Sequence, residues 1–293
     1  MYEPDVTIII PTYNIVEEGY ADDFTLMLRL LDKQTYPNVE HLVMDNASTD
    51  ETPILLKDYK NKGYINFLSA PDNGKYDAIN NALYKARGKY VGILSCDDFF
   101  HDITAIADIV NLMETENADF CCYPTYYIQE DFSVFQYVPS LLNVFQVNPC
   151  PHQGVFYRKE TLMNLGNFDA KFKILADYDM MIRMIMNKCS AVYYDNTCVT
   201  CHEPLSIKRT VQLEAEARHI YYKNYKSLYN MTDEVLDRLV TLSEIPKPLL
   251  DRFATYFPED NELFYQRYQE MYDMRAEGMR LQRQEDRMNR WQR

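Results

Sequence analysis

Apolar and polar positions follow two alternating periods along the N-terminal two-thirds of the chain. Compact apolar runs at Val6 to Ile10, Glu40 to Met44, Ile65 to Ser69 and Tyr90 to Leu94 read as buried strands. Between them, apolar residues recur at helical spacing. A helix is predicted over Ala21 to Gln34, with Phe24, Leu28 and Leu31 on one face. Another starts near Pro53, with Ser48 or Thr49 as its cap. A third runs from about Asp77 through Ala78, Ala82 and Ala86, with Gly88 stopping it, and a fourth spans Asp102 to about Asn117. Strand–helix alternation of this kind implies βαβ units and a parallel sheet, with Pro11 ending the first strand.

Beyond Asn117 the pattern loosens. Phe120 to Ile128 and Phe132 to Val138 read as two antiparallel strands, Gly154 to Tyr157 as a short strand and Asp177 to Lys188 as a helix. Ala191 to Tyr194 and Val199 to Cys201 read as the last strands. From Ile207 onward the spacing is helical only, over Lys208 to Tyr229, Thr232 to Leu242 and Lys247 to Tyr256, followed by a long polar segment. The expected organisation is an α/β domain over residues 1–207 and a helical C-terminal extension over residues 208–293.

Composition narrows the function. A formal net charge of −14 argues against nonspecific nucleic-acid binding, which needs a basic surface. With 8 glycines there is no G-x-G-x-x-G and no G-x-x-x-x-G-K-[ST], so the two common glycine-rich phosphate cradles are missing. The odd count of 7 cysteines fits reduced thiols. Cys198-Val199-Thr200-Cys201-His202 spells the c-type haem pattern, but a strand with Cys198 and Cys201 as small apolar fillers explains it better. No run is long enough for a membrane span and no signal peptide is evident, so the expected location is the cytoplasm. Arg275 to Arg293 holds six arginines against three acids together with Trp291, the only tryptophan. That tail reads as solvated, or as a peripheral contact with an anionic membrane face.

Chemistry collects where the strands end. Pro11-Thr12-Tyr13-Asn14, Asp45 to Asp50, Asp72 to Asp77 and Asp97-Asp98 each follow a predicted strand. Any one of them is ordinary turn or cap chemistry. Together, at one edge of one sheet, they would surround a single crevice, the place where open parallel sheets bind ligands. Asp97 and Asp98 would repel each other there unless a cation, a hydroxyl or a proton relieved them. A hard divalent metal holding nucleotide phosphates satisfies this, and a cap on the helix near Asp102 is the alternative.

The motifs also come in a characteristic order. After P-T-Y-N at 11–14 come V-x-D-x-x-S-x-D at 43–50, D-x-G-x-Y-D-A-x-N at 72–80 and S-x-D-D at 95–98. His152-Gln153-Gly154-Val155-Phe156-Tyr157-Arg158, Gly166-Asn167-Phe168-Asp169 and Ala176-Asp177-Tyr178-Asp179 follow. Over residues 4–207 the chain resembles the family 2 glycosyltransferases, which have the GT-A fold, a Rossmann-like and mostly parallel sheet flanked by helices. The resemblance does not reach residues 208–293.

The resemblance implies roles by position. Thr12, Tyr13, Asn14 and Asp45 would hold the nucleoside, with Asp45 accepting from a base N–H and Tyr13 offering ring contact. Asp72, Asp77 and Asn80 fall in a nucleotide-sugar-binding motif, and Asp97 would meet the ribose. Asp98 would bind Mn²⁺ or Mg²⁺, and His202 lies where some members place a further metal ligand. His152 and Gln153 would line the acceptor or donor-sugar pocket. Asp177 would be the general base for an inverting transfer, although it also suits a helix cap. Lys75 departs from the pattern, either touching the diphosphate or standing as a solvated turn lysine. Cys96 departs too, at a position that often holds a small polar residue or a third acid.

The expected function is an inverting, metal-dependent transfer from a nucleotide-diphosphate sugar, a UDP-sugar first, to a saccharide or lipid-linked hydroxyl in surface polysaccharide assembly. A sugar-phosphate nucleotidyltransferase would ordinarily show a glycine-rich loop after its first strand. A catalytically silent nucleotide-binding scaffold would not need Asp45, Asp98 and Asp177 together.

Overall fold

The computed structural model describes residues 5–129, 131–146, 148–202, 211–274 and 277. The chain divides into two compact units, Met1–Ser140 with Asn148–Thr210, and Leu141–Val147 with Val211–Arg293.

The first unit is built on a seven-stranded sheet. Its strands are β1 (Val6–Thr12), β2 (Val39–Asp45), β3 (Asn66–Ser69), β4 (Tyr90–Ile93), β6 (Phe120–Cys122), β9 (Val155–Arg158) and β10 (Ala191–Tyr193), in the order β10-β6-β9-β4-β1-β2-β3. β4, β1, β2 and β3 run parallel, β9 is antiparallel to both of its neighbours, and β10 is parallel to β6. Helices α1 (Ala21–Asp32), α2 (Thr52–Asn61), α3 (Lys75–Leu83), α4 (Ala105–Thr115), α5 (Lys159–Asn164) and α6 (Ala176–Met186) connect or flank these strands. Val6, Ile8, Ile9 and Ile10 are wholly buried, as expected of a central strand covered on both faces. A smaller sheet, β5-β11-β7-β8, combines β5 (Phe99–Phe100), β11 (Val199–His202), β7 (Thr125–Ile128) and β8 (Val134–Tyr137). Cys198 and Cys201 are buried at and within β11, as small fillers.

Several boundaries differ from the sequence reading, each for a local reason. β1 continues through Pro11 to Thr12. Pairing with β4 ends at Ile9↔Ile93, while pairing with β2 goes on to Thr12↔Asp45. Thr12 O accepts from Asn46 N on the β2 side, so the position without an N–H faces the side β4 has already left. The run Phe120 to Ile128 is two strands in two different sheets, broken at Tyr123-Pro124, because proline cannot donate to a ladder. Gly88 does not cap α3, which ends at Leu83. A Cβ on Gly88 would lie 2.5 Å from Thr7 N and from Val6 C, so glycine permits close packing against β1. Neither Ser48 nor Thr49 caps α2; Asp50 Oδ1 instead accepts from Thr52 N at 3.0 Å.

In the second unit, α7 (Val211–Tyr225), α8 (Asp233–Val240) and α9 (Lys247–Ala254) are followed by a further helical stretch over 261–274. That stretch gives structure to what the sequence shows only as a long polar segment: Phe264, Tyr268 and Met271 are buried at helical spacing. Phe145 packs its ring on Phe253, Tyr225 and Tyr268 with centroids 4.7, 5.4 and 5.6 Å away. Tyr268 Oη accepts from Phe145 N at 2.9 Å and donates to Leu142 O at 2.8 Å. Among the described residues no helix is long and apolar enough to cross a membrane. The basic tail, Glu277 apart, lies outside the described residues.

Candidate active site

The parallel strands end together, and the loops leaving them are tied to one another by side chains. Asn14, at φ 45°, donates its N–H to Ser48 Oγ at 2.8 Å, and its Oδ1 accepts from Thr49 N at 2.9 Å. Ala47 is also left-handed, at φ 46°, a strained choice for a residue with a Cβ. Asp45, 1 % exposed, accepts from Ser48 Oγ on Oδ1 at 2.5 Å, and on Oδ2 from Ser48 N at 3.1 Å and Ser69 Oγ at 2.6 Å. Its carboxylate therefore joins the ends of β2 and β3 and keeps one acceptor position on Oδ1. Tyr13 stands 55 % exposed beside this loop pair, while the hydroxyl of Thr12 is buried with no hydrogen-bond partner.

The turn into α3 is equally well ordered. Asp72 N donates to Asn46 Oδ1, and Asp72 Oδ1 accepts from Gly74 N, both at 2.8 Å. Burial, with the charges of Asp77 and Asp45, raises the Asp72 carboxyl above its ordinary range. Gly74 takes φ 114°, which favours glycine. Asp77 Oδ2 accepts from Asn73 N at 2.9 Å and Asn73 Nδ2 at 3.0 Å. Asn80, expected at the nucleotide sugar, commits both ends of its amide to the Phe168 backbone, at 2.8 and 3.1 Å.

Asp97 and Asp98 do not cap α4; Asp102 Oδ1 accepts from Thr104 N ahead of that helix. The expected division, Asp98 for a metal and Asp97 for the ribose, meets the opposite burial. Asp98 is 1 % exposed, and its Oδ2 accepts from Ser95 N at 2.7 Å. Burial first, then the charge of Asp97, pushes its carboxyl up to about 6. The Cys201 thiol also bonds to Asp98 and is held protonated. Asp97 is more open, and its Oδ2 lies 3.5 Å from Nδ1 of the half-exposed His202. Burial and the carboxylates of Asp97 and Asp98 push the Cys96 thiol up to about 12.

Asp97 Oδ2 and His202 Nδ1 lie close enough together that both would reach one divalent cation. Among the described residues no group of three or more His, Cys, Asp or Glu is gathered for a metal. Two protein ligands would leave most positions for diphosphate oxygens and water, the common arrangement for Mg²⁺ at phosphates.

Asp177 is 5 % exposed and lies in the first turn of α6, after Leu175 at the cap position and Ala176, so it is not the helix cap that its sequence position also suited. Its Oδ2 accepts from His152 Nδ1 at 3.0 Å and His152 N at 3.3 Å, and its Oδ1 from Tyr178 N at 2.8 Å. Burial works against its charge, but these bonds and the Lys75 ammonium prevail and hold the carboxyl below its ordinary range. Burial first, then Lys75, lowers His152, so the imidazole is neutral near pH 7. Lys75 is exposed as a residue, yet its Nζ reaches 3.5 Å from His152 Nε2 and 5.1 Å from the Tyr76 ring centre. Crowding around Nζ lowers its pKa, and the charges of Asp177, Asp98 and Asp97 raise it again. A solvated turn lysine does not describe it. Gln153 is buried beside His152. The sequence reading missed Tyr76, whose ring meets His152 edge-on at 6.2 Å and whose hydroxyl donates to Ile174 O at 3.2 Å. Its place inside D-x-G-x-Y-D was the available signal. Asp179, the second acid of its motif, pairs with Arg183 at 2.9 Å and is wholly buried.

This arrangement has relatives of known kind. Residues 7–182 match the family model Glycosyl transferase family 2. A β-1,3-glucosyltransferase of Escherichia coli, WfaP, named for UDP-Glc and α-D-GlcNAc-diphosphoundecaprenol, is 34% identical over 129 residues, which is 44% of this chain and 49% of that protein. The match thus spans about half of that relative's length. A PGL/p-HBAD biosynthesis glycosyltransferase of Mycobacterium bovis is 27% identical over 205 residues, 69% of this chain and 78% of the relative. Among solved structures, S. aureus TarS 1–349 with UDP-GlcNAc superposes with a TM-score of 0.61 at 17% identity, covering 89% of this chain and 83% of that one. The mannosyltransferase PcManGT of Pyrobaculum calidifontis, with GDP-Man and Mn²⁺, gives 0.57 at 20% identity, covering 94% and 85%. The mostly parallel sheet flanked by helices is the GT-A fold, and the chain belongs to glycosyl transferase family 2.

Proposed function

We propose that the crevice binds a nucleotide-diphosphate sugar and transfers the sugar, with inversion, to a hydroxyl of a saccharide or lipid-linked acceptor. One observation carries this reading: the Lys75 ammonium, 3.5 Å from the His152 ring that Asp177 holds, also feels the charges of Asp98 and Asp97. The proposed base and the carboxylates of the proposed metal end thus act on one cation, an arrangement that suits a displacement at an anomeric carbon. Tyr13 offers the nucleobase an exposed ring, and Asp45 a single remaining acceptor position. Asp97 and His202 would hold Mn²⁺ or Mg²⁺. When bound, the cation neutralises charge on the departing diphosphate.

At the other end, His152 and the start of α6 keep Asp177 ionised, so that negative charge awaits the acceptor proton. Proton transfer of this kind contributes about a hundred- to ten-thousandfold. A UDP-sugar is the first donor to test, because the names of WfaP and the TarS complex carry UDP-sugars. The diphosphoundecaprenol in the WfaP name favours a lipid-linked acceptor and a place in surface polysaccharide assembly.

The test is release of nucleoside diphosphate from a panel of nucleotide sugars in the presence of Mn²⁺ and saccharide or polyprenyl-linked acceptors. Wild-type protein should turn over one donor, and Asp177→Asn should bind that donor without turning it over. Binding without turnover by the wild type, on any acceptor, would favour a silent scaffold.

A further inference from the structure

We propose that Lys75 is an exchange residue: without donor its ammonium rests on Nε2 of His152, and with donor bound it moves onto the diphosphate, where it holds the negative charge that grows as the sugar leaves. This rests on the glycosyl-transfer reading and adds to it a catalytic residue on the leaving-group side, with Asp177 still the base.

The resting contact is a weak one. Asp177 Oδ2 lies 3.0 Å from His152 Nδ1, which places the ring proton there and leaves a lone pair on Nε2. Lys75 Nζ donates to that lone pair across 3.5 Å, the outer limit of a hydrogen bond, and the ring it meets is neutral. Its other contact is the Tyr76 ring, whose centre is 5.1 Å from Nζ. Among the described residues Lys75 forms no ion pair, so Asp177, Asp98 and Asp97 act on it only from beyond ion-pair distance. Burial accordingly outweighs them and lowers its pKa, the mark of an ammonium short of counter-charge.

The surroundings favour an anion at this point. Lys75 opens α3, whose start has no side-chain cap, so the helix dipole attracts negative charge there and works against the resting ammonium. The other cation of this turn is held in place: Lys173 Nζ donates to Asn73 O at 2.6 Å and to Ala170 O at 3.0 Å. Lys75 is exposed as a residue and sits on a flexible stem. A charge-assisted bond to a phosphate oxygen is roughly twice as strong as a neutral one, so a diphosphate at the proposed metal end outcompetes the imidazole. In the step, the acceptor O–H bond breaks and its proton passes to Asp177, whose Oδ1 accepts from Tyr178 N and keeps a second acceptor position. The electron pair of that bond forms the new bond to the anomeric carbon. The bond from the anomeric carbon to the diphosphate breaks, and its pair leaves on the β-phosphate oxygen. Lys75 donates to the diphosphate throughout and keeps its own proton.

Calorimetric titration with Mg²⁺ tests the exchange, comparing UDP or GDP, whichever binds the wild type, with its monophosphate. Lys75→Met should weaken the diphosphate by about ten- to a hundredfold and leave the monophosphate within about twofold. Lys75→Arg, which keeps the charge, should recover most of the loss. Equal losses for both nucleotides, or none for the diphosphate, would overturn the exchange while the transfer reading stands. Nitrogen NMR of His152 follows the resting end. Adding the diphosphate should shift Nε2 in the wild type, whereas free Lys75→Met should already show an unpartnered Nε2 that then changes little. An equal shift in both proteins, or none in the wild type, would mean that the ammonium stays on His152 and the exchange is wrong. A wild type that binds no nucleoside diphosphate would remove the transfer reading and the exchange together.

Discussion

Asp45, Asn80 and Asp98 all lie in edge motifs, and all three direct polar atoms into the protein. Their positions were legible in the sequence. Their bonds were not, because Ser69, Phe168 and Ser95 reach them only through tertiary structure or a closed turn. Asn80 is a case where motif and geometry suggest different effects. Asn80→Ala leaves Phe168 N and O without their partner and should cost about 1–3 kcal/mol in urea unfolding. Nucleotide affinity should fall little; a large loss at unchanged stability would return Asn80 to the donor. For Asp98 the sign follows from the shift. Its carboxyl sits at about 6 in the fold against 3.8 as the ordinary value, so the fold favours the protonated form. Stability from this group is fully present below pH 4, is lost as pH rises through about 4 to 6, and stays lost above, an effect of about 3 kcal/mol. In metal-free protein, Asp98→Asn should therefore raise Tm at pH 8 and leave it unchanged near pH 4 by scanning calorimetry. A lower Tm at pH 8 would mean that the charge itself stabilises the turn.

At the scale of elements, the strand ends were readable because buried β-branched runs stop at Asx and Ser/Thr clusters. Breaks inside apolar runs were harder. Pro124 divides Phe120 to Ile128 between two sheets, a signal present in the sequence but outweighed by the aromatic alternation around it. The helical stretch 261–274 hid for the opposite reason: Phe264, Tyr268 and Met271 form a narrow buried stripe within a polar composition. Tyr268 gives that stripe a measurable role. Tyr268→Phe deprives Phe145 N and Leu142 O of their partner and should destabilise the second unit by about 1–3 kcal/mol in denaturant unfolding. Gly88 looked like a helix stop and is instead a close-packing position against β1. Gly88→Ala should cost about 1–3 kcal/mol, because the nearest atoms to its Cβ are backbone and have little room to shift. A neutral result would show that β1 can move.

For the molecule as a whole, a formal net charge of −14 accompanies a proposed site for a negatively charged diphosphate. That combination needs local positive charge. In the proposed site Lys75 would supply part of it, and a cation at Asp97 and His202 the rest. The order of the motifs made the family legible, since four strand-end clusters and the later acidic motif each had to fall in register. The assignment of acids to metal, base or scaffold depends on burial, which no tetrapeptide encodes. The most direct measurement is calorimetric titration of UDP into the protein with Mn²⁺ and again after chelation, for wild type and Asp97→Ala. Metal-dependent binding that is lost in Asp97→Ala is the predicted result; binding of equal strength without metal, or no nucleotide binding at all, would contradict it.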